Sequence, residues 1–328
     1  MIQHLNPSKA ALPPAPLPNN LPVCPITGTP ARRRVQKVSG KLLQSLWRIG
    51  LGIDVSALLQ GITSIGLYES ECGLFFFEPR IAGDQAFYVD FWRRVSQMDM
   101  DDHVMTRREF CQAAAHVGTG AALLDVGCGR GTFHQHVRHA RYRGLDPSAP
   151  LDADPAVVRE TLSAHAGRFP EAYDVVTAFQ VIEHVSDPRG FAELLLRALK
   201  PGGLLILCAP LHPSPLTEIP NLLINAPPHH LTWWNRRAFE ALAHACQLEP
   251  MEIAEVACSP HEGWVHWLRR FSVCRSQLGA GERYFAHRWS WHLSLALSFA
   301  LARIAFAFKP LPNHSQSTNI FLVARKPT

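Results

Sequence analysis

Three glycines stand at alternate positions in Leu123-Leu-Asp-Val-Gly-Cys-Gly-Arg-Gly131, just after a short apolar run. Glycine lets a backbone turn sharply out of a strand, and it lets a ligand press close where any Cβ would clash. A helix opening after the third glycine would turn unpaired N–H groups toward the same ligand. Asp146 lies 21 residues beyond Asp125, at the end of Tyr142-Arg-Gly-Leu145. A carboxylate there can accept hydrogen bonds from both hydroxyls of an adenosine ribose. A second group of reactive side chains lies in Pro227-Pro-His-His-Leu-Thr-Trp-Trp-Asn235, where His229 and His230 stand beside two tryptophans. Imidazole can take a proton near neutral pH, and indole faces make an apolar or sugar-stacking wall.

The elements that would position these residues follow from the apolar pattern. The runs Leu123–Val126, Tyr142–Leu145, Ala156–Arg159, Tyr173–Ala178, Gly203–Ala209, Pro250–Val256 and Asn319–Ala324 alternate with helical stretches. That rhythm predicts an α/β fold: a Rossmann-like, doubly wound, seven-stranded and mostly parallel sheet. Pro201 and Gly202-Gly203 end a helix and release the chain into a buried strand. Four stretches are expected from composition: a disordered leader over 1–22, an N-terminal extension over 23–102, and a main domain over 103–328 with a helical insert at 259–317. Within the extension, Gly73-Leu-Phe-Phe-Phe77 reads as a strand that stops near Glu78-Pro79.

A nicotinamide-binding loop would need its third glycine at position 132, which is Thr132. The glycines at 127, 129 and 131 instead resemble the first motif of the class I S-adenosylmethionine-dependent methyltransferases. Tyr173-Asp-Val-Val-Thr-Ala-Phe-Gln-Val-Ile-Glu-His-Val185 is similar to that family's fourth-strand motif, and Leu199-Lys-Pro-Gly-Gly-Leu-Leu-Ile-Leu-Cys-Ala-Pro210 to its fifth. The nearest likeness is to ubiquinone-type and saccharide-type small-molecule methyltransferases, over about 105–258 and 315–326. The resemblance implies S-adenosylmethionine as cofactor, held by Asp125, Gly127, Cys128, Gly129, Gly131, Asp146 and Gln180. Asp146 would take the ribose, Gln180 would lie near the sulfonium, and Thr161 and Leu162 would border the adenine. It also places the 227–235 loop over the sulfonium, where an acceptor must bind. Adjacent residues of an extended loop point in opposite directions, so one histidine of the pair is expected to face the acceptor. His230 is favoured as general base, with His229 and His184 as the alternatives.

Some quinone-directed relatives bind a divalent metal through Glu-x-x-Glu-His. Here those positions read Gln180-Val-Ile-Glu183-His184, and an amide is a poor substitute for an anionic ligand to a hard cation. No metal is expected. Cys24-Pro-Ile-Thr27 and Glu69-Ser-Glu-Cys72 resemble the two knuckles of a zinc ribbon, each with one cysteine lost, and two thiolates do not close a tetrahedral site. The extension is therefore read as a degenerate, metal-free ribbon.

Trp289–Phe308 is long and apolar enough to cross a bilayer. A single crossing is ruled out because the flanking strands belong to one sheet. It is then either a lid or dimer helix, or a helix making peripheral membrane contact through 288–309. The net charge of +5 is spread over 32 basic and 27 acidic residues, which argues against a nucleic-acid partner. Eight cysteines show no disulfide framework, and the N-terminus lacks a signal-peptide pattern. A cytoplasmic setting follows, peripheral at the inner membrane if the acceptor is lipid-linked. The expected reaction is O-methylation of a small-molecule, saccharide or lipid-linked acceptor. A catalytically silent cofactor-binding module and a nicotinamide oxidoreductase stay open as alternatives.

Overall fold

In the N-terminal part, Arg33–Ser39 (β1), Ser64–Glu69 (β2) and Phe75–Glu78 (β3) pair as an antiparallel meander. Helix α1 (Gly40–Leu51) connects the first two strands, opened by Ser39, whose Oγ accepts from Leu42 N at 3.1 Å. Helix α2 (Gln85–Gln97) follows, and its Phe87 and Phe91 rings lie 5.2 and 6.2 Å from buried Trp47. The computed structural model describes residues 21–97, 107–259, 263–276, 283–308 and 316–328; the leader expected over 1–22 lies, for 1–20, outside them. The two half-knuckles face each other, with Cys24 Sγ and Cys72 Sγ 3.8 Å apart.

The main sheet is built from Ala122–Val126 (β4), Arg141–Leu145 (β5), Val157–Val158 (β6), Tyr173–Phe179 (β7), Leu199–Pro210 (β8), Glu249–Ala257 (β10) and Ser317–Arg325 (β11). Their order is β10-β11-β8-β7-β4-β5-β6. Strands β4 to β8 run parallel to one another, whereas β11 pairs antiparallel with both β8 and β10. The central strands are buried and nearly continuous in Val, Leu and Ile, the pattern of a sheet covered on both faces. Around it lie α3 (Arg108–Ala114), α4 (Leu162–Arg168), α5 (Pro188–Ala198) and α6 (Arg236–Ala245). Asp187 and Asn235 cap α5 and α6 by accepting from Gly190 N and Ala238 N, each at 3.0 Å. All seven expected strands are present.

Two features were not in the sequence pattern. The loop after β8 contributes a two-residue strand, Thr232–Trp233 (β9), which pairs with β3 and joins the N-terminal sheet to the main fold. The helix expected after the glycine loop is a single 3-10 turn, Thr132–His136. Only nine residues separate Gly131 from β5, too few for an α-helix and the return to the sheet. The dipole of a long helix is thus missing at this point. Between β10 and β11 lie α7 (Gly263–Phe271) and α8 (Trp289–Phe308), packed against each other.

Candidate functional site

All three loop glycines adopt left-handed φ: 69° at Gly127, 56° at Gly129 and 77° at Gly131. A Cβ at Gly127 would lie 2.4 Å from Val181 Cγ2, and one at Gly131 would lie 2.6 Å from Val157 Cγ2. At Gly129 it would meet nothing within 4 Å. The outer two glycines are thus fixed by protein packing, and the middle one borders open space, as a cradle for a ligand requires. Gly129 N donates to Asp146 Oδ2 at 2.9 Å, and Ser148 N to Asp146 Oδ1 at 2.8 Å. Each carboxylate oxygen keeps a second acceptor site, and Asp146 is only half-buried. The loop and this carboxylate fit an adenosine ribose.

Asp125 has a different place. It is 2% exposed and accepts from Tyr142 Oη and Thr177 Oγ1, both at 2.8 Å, which ties together β4, β5 and β7. Burial pushes its carboxyl up to about 6 against those two hydrogen bonds. Cys128 is half-buried against Gly144, where a Cβ would come within 2.6 Å of its Sγ. Thr161 caps α4, and Leu162 is buried in its first turn. Gln180, at the end of β7, holds φ at 58°, a strained value for a residue with a side chain. Its Nε2 donates to Asn319 Oδ1 at 3.1 Å, which joins the carboxyl end of β7 to β11.

The structure brings together His184, His229 and His230. Their ring centroids are 4.4, 4.7 and 5.0 Å apart, and one nitrogen from each lies within 4.8 Å of the others. The expectation that His229 and His230 point apart is not met. Both backbone N–H groups donate to Ala226 O, at 3.0 and 3.2 Å, so the segment is a turn and the two rings stack. His184 Nδ1 donates to His229 O at 2.7 Å. A carbonyl can only accept, so that bond fixes the tautomer and leaves Nε2 as the unprotonated nitrogen, 3.6 Å from Glu183 Oε1, with the Gln180 carbonyl also close to the ring. Glu183 is buried, and neither of its carboxyl oxygens has a hydrogen-bond partner among the described residues.

Desolvation dominates the electrostatics. It lowers His184 to about 4, holds His229 and His230 well below 6.5, and raises Glu183 to about 8. At neutral pH the cluster therefore holds three uncharged imidazoles beside a mostly protonated carboxyl. Sequence reasoning missed three contributors. Arg107, just before α3, is the charge that opposes the rise of both Asp125 and Glu183. The Phe91 ring of α2 covers His229 at 4.2 Å, and Tyr88 lies 5.9 Å from His184. None of the three carries a spacing signal; each reaches the site from a distant stretch of chain.

A cleft of about 140 Å³ opens further along the same sheet edge, beside Asn319. It is lined by Pro215, Cys258, Thr318, His266, Arg269 and Arg270. Arg269 is held by Glu218 at 2.6 Å. Carboxyl ends of parallel strands are where this class of sheet binds ligands. The arrangement offers a nucleoside cradle, an adjoining neutral nitrogen base and a cationic cleft.

Residues 100–253 match a family described as a methyltransferase domain. The ubiquinone biosynthesis O-methyltransferase of Photorhabdus laumondii is 32% identical over 101 residues. That of Klebsiella pneumoniae is 37% identical over 97 residues. Each match covers 26% of this chain and 40% of the relative, so the chain spans about two fifths of the length of these curated relatives. Among solved structures, a 1,6-didemethyltoxoflavin-N1-methyltransferase of Burkholderia thailandensis is 12% identical, with a TM-score of 0.48, covering 80% of this chain and 96% of that one.

Proposed function

We propose, from the premise that residues 100–253 are a class I S-adenosylmethionine-dependent methyltransferase domain, that the chain methylates an oxygen of a small-molecule or lipid-linked saccharide acceptor. The domain's cofactor is S-adenosylmethionine. That cofactor supplies a methyl carbon already activated by its sulfonium, so the reaction needs alignment and loss of a proton, with no covalent protein intermediate. Gly127, Gly129 and Gly131 would admit the nucleoside, and Asp146 would accept from its ribose. Asp125 acts through the strands it ties together, holding the loop in place. Arg107, paired with Glu109 at 2.8 Å, acts on Asp125 and Glu183 through its charge.

In the transfer step an acceptor oxygen lone pair forms the C–O bond, and the C–S bond breaks with its pair remaining on sulfur. The acceptor proton goes to a base. The observation that carries this reading is the tautomer of His184, pinned by its Nδ1 bond to His229 O, which leaves Nε2 unprotonated near the carboxyl end of β7. Sequence spacing favoured His230, but His230 and His229 are only 6% and 5% exposed, and α2 covers His229. We assign the base to His184, with His229 and His230 holding its ring and keeping water out. On this reading the reaction runs in the cytoplasm, at the inner membrane face if the acceptor is lipid-linked.

Calorimetry with S-adenosylhomocysteine and with NAD tests the cofactor assignment. Binding of the first and none of the second is expected; the reverse would end this reading. Transfer of labelled methyl to saccharide and lipid extracts then tests the base. His184→Ala should lower turnover by about 10² to 10⁴ with cofactor affinity retained. A second reading rests on the three convergent nitrogens. The same histidines could hold a nitrogen-preferring divalent cation, which would lower the acceptor's pKa in place of a base.

A further inference from the structure

Helix α8 has its polarity reversed for a protein surface. Its buried side carries Trp291, Ser294, Ser298 and Ala302. Its free side carries Leu293, Leu297, Leu301, Ile304 and Phe308, between 46% and 82% exposed. Those five recur at steps of four, four, three and four residues, which is one face of a helix. Only 22% of its apolar window is buried. The small inward residues let α8 lie close on α7, where Trp264 stacks on Phe299 at 6.0 Å and Ala302 joins Val265 and Leu268. The inward hydroxyls are satisfied: Ser294 Oγ accepts from Cys274 N at 3.2 Å, and Ser298 Oγ donates to Ser294 O at 2.5 Å. The orientation is thus fixed by packing and hydrogen bonds, and the leucine face is presented outward. An exposed apolar strip of this kind marks an interaction site.

We infer that α8 lies in the plane of an anionic lipid bilayer, with its leucine face among the acyl chains. Charge identifies the occupant. The insert over 259–317 holds seven basic residues against two acidic ones, so its net charge equals the +5 of the whole chain. Arg288 stands at the start of α8, over the Trp291 ring at 5.2 Å, and Trp289 beside it is 88% exposed. Arg303 is exposed too. Arginine and tryptophan at the edge of a leucine strip suit headgroup depth, and anionic headgroups answer the charge. A second copy of the chain is a poorer occupant: α8 has no carboxylate to meet these cations across a two-fold axis. A single crossing is excluded, because Ala257 pairs with Ser317 and the chain leaves and rejoins the sheet at one edge.

The contact does not depend on methyl transfer, and its test is separate. The full chain is floated with vesicles of 70% phosphatidylcholine and 30% phosphatidylglycerol, and with phosphatidylcholine alone. Flotation with the anionic vesicles is expected, weakening as salt rises past the range where the Debye length falls below about 8 Å. Leu297→Glu with Leu301→Glu should lower partitioning at least about tenfold, while S-adenosylhomocysteine binding, measured in parallel, shows that the variant is folded. Equal flotation of parent and variant would overturn the proposal. So would the absence of flotation together with a dimer that the same substitutions dissolve.

Discussion

Acid should unfold this protein through its buried histidines, and Glu183 should set how steeply. His184, His212, His229 and His230 are all desolvated and stay neutral far below the 6.5 at which they titrate in an unfolded chain. Below pH 6.5 the unfolded chain therefore binds more protons than the native state. Stability present above that pH is lost as the pH falls toward the folded values. Between about pH 7.5 and 5.5 each such histidine removes about 1.4 kcal/mol, on the order of 5 kcal/mol for the four. Glu183 acts in the opposite sense. Its folded carboxyl protonates at about 8 against 4.5 unfolded, so its contribution is full below 4.5 and is lost as pH rises through 8. Over the same interval it returns about 2.5 kcal/mol, which leaves a net loss of about 3 kcal/mol for the parent chain. Glu183→Gln keeps the shape and removes the titration. The variant should be more stable than the parent at about pH 7.5, and its loss from there down to pH 5.5 should deepen to about 5 kcal/mol. Denaturant midpoints of both proteins at the two pH values measure this directly. A parent chain no weaker at pH 5.5 would show that water reaches the histidines in the native state. A variant whose loss matches the parent's would show Glu183 to be ionised, with Arg107 outweighing burial.

The other expectations are narrower. Asp146→Ala should weaken S-adenosylhomocysteine binding by about 1 to 3 kcal/mol in calorimetry, the scale of charge-assisted hydrogen bonds; an unchanged affinity would remove it from the ribose site. Gly127→Ala should destabilise the fold itself, because the new Cβ meets Val181 at 2.4 Å in a left-handed conformation. Gly129→Ala, with free space before its Cβ, should retain most of the melting temperature and lose cofactor affinity; the opposite ranking would place the ligand elsewhere. Dialysis against EDTA should leave turnover unchanged if His184 is the base, and activity restored by zinc or manganese would move the mechanism to the metal reading.

What was legible in the sequence is what repeats. The strand runs are local signals, and each strand formed within four residues of its apolar run; the largest shift is at β8, which begins at Leu199 and takes in the Pro201-Gly202-Gly203 expected to precede it. The glycine loop was legible because positive φ restricts the choice of residue. The short turn after it was not, since Thr132–His136 carries helix-compatible residues and only the distance to β5 forbids a helix. His229 and His230 were found by type but misplaced in direction, because two residues of a tight turn were read as two residues of an extended loop. The inverted face of α8 was in the sequence as serines spaced four apart within leucines. Which face turns inward depends on α7, and periodicity alone does not identify the partner.

The histidine cluster is assembled from segments that lie far apart in the chain. His184 comes from the end of β7, His229 and His230 from the loop after β8, and the Phe91 cover from α2 in the N-terminal extension. The same loop then adds β9 to the N-terminal sheet, so Phe75 and Phe76 pair with Trp233 and Thr232 within three residues of the histidines. The Trp47 indole reaches from α1 to donate to Pro227 O at 2.8 Å, inside the turn that aims them. The extension, whatever its ribbon ancestry, thus serves as the wall that fixes the histidine turn and keeps the cluster dry. Dryness is what holds the imidazoles neutral and the carboxyl protonated. A parallel sheet that binds a common cofactor can serve many acceptors, because this second set of segments can change while the glycine loop remains fixed.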